Sequence, residues 1–299
     1  MWVILAFVSA FFNGCYDISK KIAVNNNAIL PVLFFSTLSA SLLLFPAAVL
    51  SHLDIVKFST SIFYIPDLSI KSHLYILIRA FIITLAWLFG YTALKHLPIT
   101  ITGPINATRP VMTLVLAIII FNEALNIYQW IGVFITVVSL FLLSSSGKKE
   151  GVKFSGNKWI AFAFSGALIG SLCELFEKFL MQQLNFMSVL FWTSFYQCVI
   201  AGLIIIVSRS FTHRKKYDFK FRWSILLIAV FLMLTDFAYL NALSCTGAMI
   251  SVISLVRRGS VLVSFAGGVV FLKEKNLKSK IIDLVLIIIG MFFLFRGTM

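Results

Sequence analysis

The stretch WLFGYTALKHLPITITGPINATRP (87–110) lies over DFAYLNALSCTGAMISVISLVRRG (236–259) at an offset of 149 residues. Ala93 meets Ala242, Leu94 meets Leu243, Ile101 meets Ile250 and Arg109 meets Arg258. Helix breakers correspond as well, with Pro98 over Gly247 and Pro110 over Gly259. Downstream, IIIFNEALN resembles VVFLKEKNL, and Glu123 matches Glu274 after a two-residue shift. Upstream, GCYDISKK (14–21) lies over SLCELFEK (171–178) at an offset of 157, pairing Asp17 with Glu174 and Lys21 with Lys178. The eight extra residues fit a longer segment over 52–72 in the first half. A chain that repeats itself is read as two like units before anything else.

Composition says what solvent those units meet. Of 299 residues, 60% are hydrophobic and 12% charged, where a soluble protein carries about 25% charged residues. A bilayer core about 30 Å thick takes roughly 20 apolar residues per helix. Ten segments qualify: 2–24, 28–51, 73–96, 98–121, 126–146, 157–183, 186–209, 222–245, 247–272 and 277–297. Lipid makes each span satisfy its own backbone, and the apolar runs lack the alternation of a barrel, so the spans are helices. The first segment lacks a basic leader region and is followed by Lys20 and Lys21, so it reads as a retained helix. The expected fold is an all-α membrane protein of ten transmembrane helices in two inverted five-helix repeats. The first repeat covers 1–146, a basic linker 147–156, and the second repeat 157–299. Five spans per unit turn the second unit upside down relative to the first. Such inverted repeats typify secondary transporters, whose sites lie near the midplane beside Gly- or Pro-interrupted helices.

The net charge of +14 is a topology signal rather than a nucleic-acid signal. Loops 1–2, 3–4, 5–6, 7–8 and 9–10 hold 17 Lys and Arg residues against three on the other side. The basic loop SRSFTHRKKYDFKFRW (208–223) contributes many of them. The positive-inside rule then puts both termini outside the cytoplasm of an inner or plasma membrane. Enzyme readings find little support. Cys15, Cys173, Cys198 and Cys245 fall inside spans without paired spacing, which argues against disulfides and zinc. The four histidines sit at span ends or in loops, and no Gly-rich phosphate loop appears, so no metal, cofactor or ATPase is expected.

Ionisable residues inside spans are costly and face the bundle interior or a wet cavity. On the fourth span Thr102, Asn106, Arg109 and Thr113 form one helical stripe; on the ninth, Ser251, Ser254 and Arg258 form another, with Arg257 beside it. Arg109 and Arg258 are thus symmetry mates, both expected in mid-helix. Guanidinium groups stay charged and offer planar forks of donors to phosphate or carboxylate. Asn106, Arg109, Arg257 and Arg258, with Lys20 or Lys21 from the first span, are the expected substrate-binding residues. Asp17, Glu174, Lys178 and Asp236 are the candidates for proton coupling or ion pairing, and Glu177 is a further acid that could pair with a buried arginine. Arg79 lies near a helix end, from which snorkelling to an interface is easier, and is left out of the site. Pro98, Pro110, Gly247 and Gly259 are candidate hinges, and Glu123 and Glu274 are expected to cap the helices that follow them.

Each half ends in an acidic turn and a final apolar helix, FNEALNIYQWIGVFITVVSLFLL and KEKNLKSKIIDLVLIIIGMFFLF. With ten spans in two halves, this resembles the EamA-type transporters of the drug/metabolite transporter superfamily, over nearly the whole chain. The resemblance implies a central cavity lined by helices of both halves, the fourth and ninth among them, alternating access, and no ATP. Relatives in that superfamily that carry phosphorylated sugars hold phosphate with an adjacent basic pair on the ninth helix, and Arg257-Arg258 looks like that pair. The pattern departs where Asp283 replaces Gly132 and where the second half lacks proline.

The expected function is secondary active transport of a small polar, anionic metabolite bearing phosphate or carboxylate. The expected partners are that small-molecule substrate, the lipid bilayer and a proton or counter-substrate, with a homodimer as a further expectation and no nucleic acid. Two alternatives stand beside it. One is an exporter of amino acids or apolar compounds, with structural arginines and a cavity lined by Trp87, Tyr91 and Trp192. The other is a non-transporting membrane scaffold or sensor.

Overall fold

The computed structural model describes residues 1–24, 27–53, 61–96, 105, 108–145, 158–211, 219–260, 262–263 and 278–297. Among them are ten α-helices: α1 (Trp2–Val24), α2 (Ile29–His52), α3 (Ile70–His96), α4 (Arg109–Phe121), α5 (Ile127–Ser145), α6 (Lys158–Met181), α7 (Phe186–Phe211), α8 (Trp223–Ser244), α9 (Ile250–Arg257) and α10 (Lys278–Arg296). No strand occurs among the described residues. Six helices, α1, α2, α3, α6, α7 and α8, are long and apolar enough to cross a membrane. Large apolar side chains stand on their outer faces, such as Leu42 on α2 and Ile206 on α7. Exposed apolar surface of that extent suits lipid rather than water.

Helices pack across the halves more than within them. α1 lies on α8 and α3 on α6; α1 also meets α9, as α4 meets α6; α3 meets α7, as α2 meets α8. The pairs α2–α7, α4–α9 and α5–α10 complete the main set. Replacing each helix by the one five places along returns the same set of pairings. One core runs through both halves, with Ala6, Ile76, Leu114, Val133, Leu175, Tyr239, Ile253 and Leu294 all buried in it.

Two helices end where the sequence suggested they would continue. α4 begins at Arg109, with Pro110 in its first turn, where a missing N–H costs nothing. Thr108 N–H, just before it, bonds to Ile105 O at 3.1 Å. α9 ends at Arg257, and the next two amides turn tightly, Arg258 N–H to Leu255 O at 3.0 Å and Gly259 N–H to Val256 O at 2.9 Å. Arg109 and Arg258 are therefore at helix ends, not in mid-helix. Of the four candidate hinges, Pro110 and Gly259 stand at these two ends. Gly247 holds φ +74° in the α8–α9 turn, a left-handed conformation suited to glycine. Pro98, Glu274 and the expected outer portions of the fourth and ninth spans lie outside the described residues, as does the Asp283 side chain.

Arg79 does not snorkel. It is 2% exposed and ion-paired in the interior. Glu123 does not cap the helix that follows it. Its carboxylate accepts the N–H groups of Ile250 at 2.7 Å and Ser251 at 3.1 Å, capping α9 in the other half. α5 is capped instead by Asn126 and Gln129, each accepting the other's backbone N–H, at 2.9 and 3.0 Å respectively.

The α5–α10 contact depends on glycine. A Cβ on Gly132 would stand 2.8 Å from Gly290 O and from Leu294, and one on Gly290 would strike Thr136. Gly132→Val should cost about 1–3 kcal/mol by overpacking, read as a lower melting temperature in detergent. Gly90→Ala, in α3 with nothing within 4 Å of the new methyl, should raise stability by about 0.5–1 kcal/mol.

Candidate functional site: a buried carboxylate between two broken helices

Glu174 on α6 is 2% exposed and takes side-chain donors from both broken helices. One oxygen, Oε1, pairs with Arg109 Nη2 at 2.9 Å and Arg258 Nη2 at 3.2 Å. The other, Oε2, accepts Thr113 Oγ1–H at 2.8 Å and Ser254 Oγ–H at 2.7 Å. Thr113 is one helical turn past Arg109, and Ser254 one turn before Arg258. The 3.6-residue period puts each pair on one face, so α4 and α9 each bring one guanidinium and one hydroxyl to the same carboxylate.

Gly170, one turn before Glu174, makes the approach of Arg109 feasible. A Cβ there would lie 2.6 Å from the guanidinium carbon, and the Gly170 carbonyl instead accepts Arg109 Nη2–H at 2.9 Å. The Arg109 and Arg258 side chains keep 28% and 24% of their surface, against 3% for Glu174. Their Nε–H groups have no hydrogen-bond partner among the described residues. Close by in sequence, Asn13 Nδ2–H donates to Ser260 Oγ at 3.1 Å, tying α1 to the turn after α9.

Arg257 turns the other way. It pairs with Asp236 of α8 at 3.0 Å, and its guanidinium lies 4.2 Å from the Tyr239 ring centre, a cation–π contact. A third pair sits deeper, Arg79 of α3 with Glu177 of α6 at 2.8 Å, both nearly sealed from solvent. The structure thus brings Arg109 and Arg258 together on Glu174 and holds Arg257 on a different acid. Lys20 pairs with Asp17 at 3.2 Å and lies over Tyr16. Lys178 donates to Ala248 O at the base of α9, on the Glu123 side of that helix. Asn106 and the Lys21 side chain lie outside the described residues.

Gly170, Tyr239 and the Arg79–Glu177 pair are parts of this centre that the sequence reading did not assign. Gly170 had a signal: a small residue one turn from a buried acid leaves room for the acid's partner.

The family comparison bears on the first half. Residues 1–145 match the model of the EamA-like transporter family. That segment, just under half of the chain, is similar to an EamA-like transporter domain. An EamA-like transporter domain is a membrane protein module, in keeping with the apolar helices. A solved crystal structure shares the fold with a TM-score of 0.75 at 10% identity, covering 98% of this chain and 96% of that one. At that identity the likeness concerns the fold alone. No relative among curated proteins matches the chain.

The Arg79–Glu177 pair is sealed, so removing one partner strands a buried charge. Glu177→Gln should lower stability by about 3–5 kcal/mol, while the double replacement Arg79→Met, Glu177→Leu should recover most of it. Thermal unfolding of the two variants and the wild type in detergent checks this.

Proposed function

We propose that the protein is a ten-span secondary active transporter that moves a small anionic metabolite, bearing a carboxylate or phosphate, by alternating access. One observation carries the reading: two guanidinium groups from counterpart helices, α4 and α9, converge on a single carboxylate while keeping exposed surface, and their buried Nε–H donors have no partner among the described residues. Counting all four intramembrane arginines of the centre against Glu174, Glu177 and Asp236 leaves one positive charge in surplus. A cationic centre at a break between helices is suited to an anion.

The rest of the reading follows from the packing. The exchange of pairings between helices five places apart supports two five-helix repeats, with 157–299 as the second. An odd number of spans per repeat makes them inverted. The distribution of Lys and Arg favours both termini outside the cytoplasm of an inner or plasma membrane. Arg109 and Arg258 would bind the substrate's charge; Arg257 is held on Asp236, and Asn106 lies outside the described residues. Pro110 and Gly259, at the two helix ends, are positioned to act as hinges as the halves rock, with Gly247 in the α8–α9 turn. We propose no catalytic activity and no cofactor.

A second reading has its own observation. Every arginine of the centre has an acid partner, and an apolar crevice lies apart from them, lined by Leu33 of α2, Trp87 of α3 and Gln197 of α7. That arrangement suits an exporter of amino acids or apolar compounds, with arginines that hold the bundle together. Trp192 packs into an aromatic cluster with His73 and Tyr196, and the Tyr91 side chain lies outside the described residues.

Thermal stability in detergent separates the two. A ligand at 100 times its dissociation constant stabilises by about 2.7 kcal/mol. Carboxylates or phosphorylated sugars should raise the melting temperature of the wild type and not that of a folded Arg258→Ala protein. Stabilisation by zwitterions or apolar cations alone would favour the second reading.

A further inference from the structure

We propose that Glu174 is a resident anion that the substrate displaces: a substrate carboxylate enters the Arg109–Arg258 cradle as Glu174 takes up one proton, so anion and proton move together. This rests on the reading of the centre as the substrate site, and it names the group recognised and the sign of the coupling.

The cradle is shaped for a carboxylate. Two charged donors meet one oxygen and two hydroxyls meet the other, which matches a planar group with two oxygens. A tetrahedral phosphate would bring a third oxygen and more charge. The donors come from α4 and α9, whereas Glu174 belongs to α6, so the cradle can change occupant without unwinding the helices that build it. The guanidinium groups are also the accessible side. At 28% and 24% exposure they meet an incoming anion before the 3%-exposed Glu174 does.

The proton follows from what the exchange leaves behind. Once the arginines turn to the substrate, an ionised Glu174 is buried without a counter-charge. The surrounding arginines and acids are already paired with one another. From α3, Arg79 is held by Glu177 of Glu174's own helix. From α8, Asp236 is held by Arg257, which lies over Tyr239. Cys173 Sγ–H donates toward Glu177 at 3.7 Å, and Lys178 donates to Ala248 O. On α1, Lys20 holds Asp17. An uncompensated buried carboxylate neutralises rather than remain charged. Thr113 and Ser254 allow this because a hydroxyl both donates and accepts, so each can serve a carboxylic acid as well as a carboxylate.

The charges balance. Before exchange the cradle holds two guanidinium groups and the Glu174 carboxylate. Afterwards it holds two guanidinium groups, the substrate carboxylate and a Glu174 carboxylic acid. One O–H bond forms, with a proton from water on the open side, and it breaks when the substrate leaves. The net charge of the cradle is the same in both states.

Isothermal titration of purified protein at neutral pH, in two buffers of different ionisation enthalpy, counts protons taken up per anion bound. Gluconate, lactate and succinate serve as probes. Wild type should take up about one proton per monocarboxylate bound and Glu174→Gln none. Glu174→Gln should also bind about tenfold more tightly or better, because no resident anion competes. Binding without proton uptake, with unchanged or weaker affinity in Glu174→Gln, would overturn the displacement and leave the anion reading standing. If none of the three probes binds wild type, displacement by a carboxylate is overturned, and the anion reading then stands or falls on the phosphorylated sugars of the thermal-stability test. Should Glu174→Gln not fold, the wild-type proton count decides alone.

Discussion

A buried carboxylate must be given partners, and the partners of Glu174 organise the middle of this molecule. At 2% exposure it has no access to water to offset its charge, so two arginines and two hydroxyls are drawn to it from α4 and α9. Those helices belong to different halves, and the contact therefore joins the halves at the point where both helices break. Buried ion pairs give little net stability over apolar packing, and removing one partner is expensive. A cluster that adds little stability yet enforces a particular meeting of helices is suited to a site that changes partners. The sealed Arg79–Glu177 pair contrasts with it. Both of its members lie out of reach, and its effect is to fix α3 against α6.

Glu123 gives α9 a second tie at its other end. Two α9 amides that lack intrahelical partners donate to a carboxylate from the α4–α5 turn. α9 is only Ile250–Arg257 among the described residues, too short to hold its place alone. It is held at its N-terminus by Glu123 and at its C-terminus by Glu174. Both acids sit on elements outside α9, so a shift of either end registers on a neighbouring element.

Much of this was legible in the sequence, and for physical reasons. Lipid leaves few options for a backbone, so apolar runs of span length read directly as helices. The offset that set Arg109 over Arg258 picked out two residues that meet on one acid. The helical stripe that joined Arg109 to Thr113 and Ser254 to Arg258 picked out the hydroxyls too. What the sequence hid was partner choice. Glu174 contacts residues 61 and 84 positions away in sequence, and nothing local selects Arg109 over Arg79 for it. Arg79 was misread because it lies near the start of its apolar segment. Nine residues into α3 it is already about 14 Å along the helix, close to mid-depth of a core about 30 Å thick, where an acid is the nearer partner. Arg109 was placed in mid-helix because apolar residues continue on both sides of Pro110. Periodicity does not register a break that a single proline and its preceding turn produce.

The measurement that bears most directly on the centre as a transport site is counterflow in proteoliposomes. Labelled carboxylates and phosphorylated sugars would be offered to wild type, to Arg258→Lys and to the Arg79→Met, Glu177→Leu double variant. Saturable uptake of an anion by wild type, lost in Arg258→Lys and retained in the double variant, is the result this account predicts. Lysine keeps the charge but not the planar fork, so the loss would report recognition rather than electrostatics alone. No uptake of any anion by wild type, or undiminished uptake by Arg258→Lys, would contradict it.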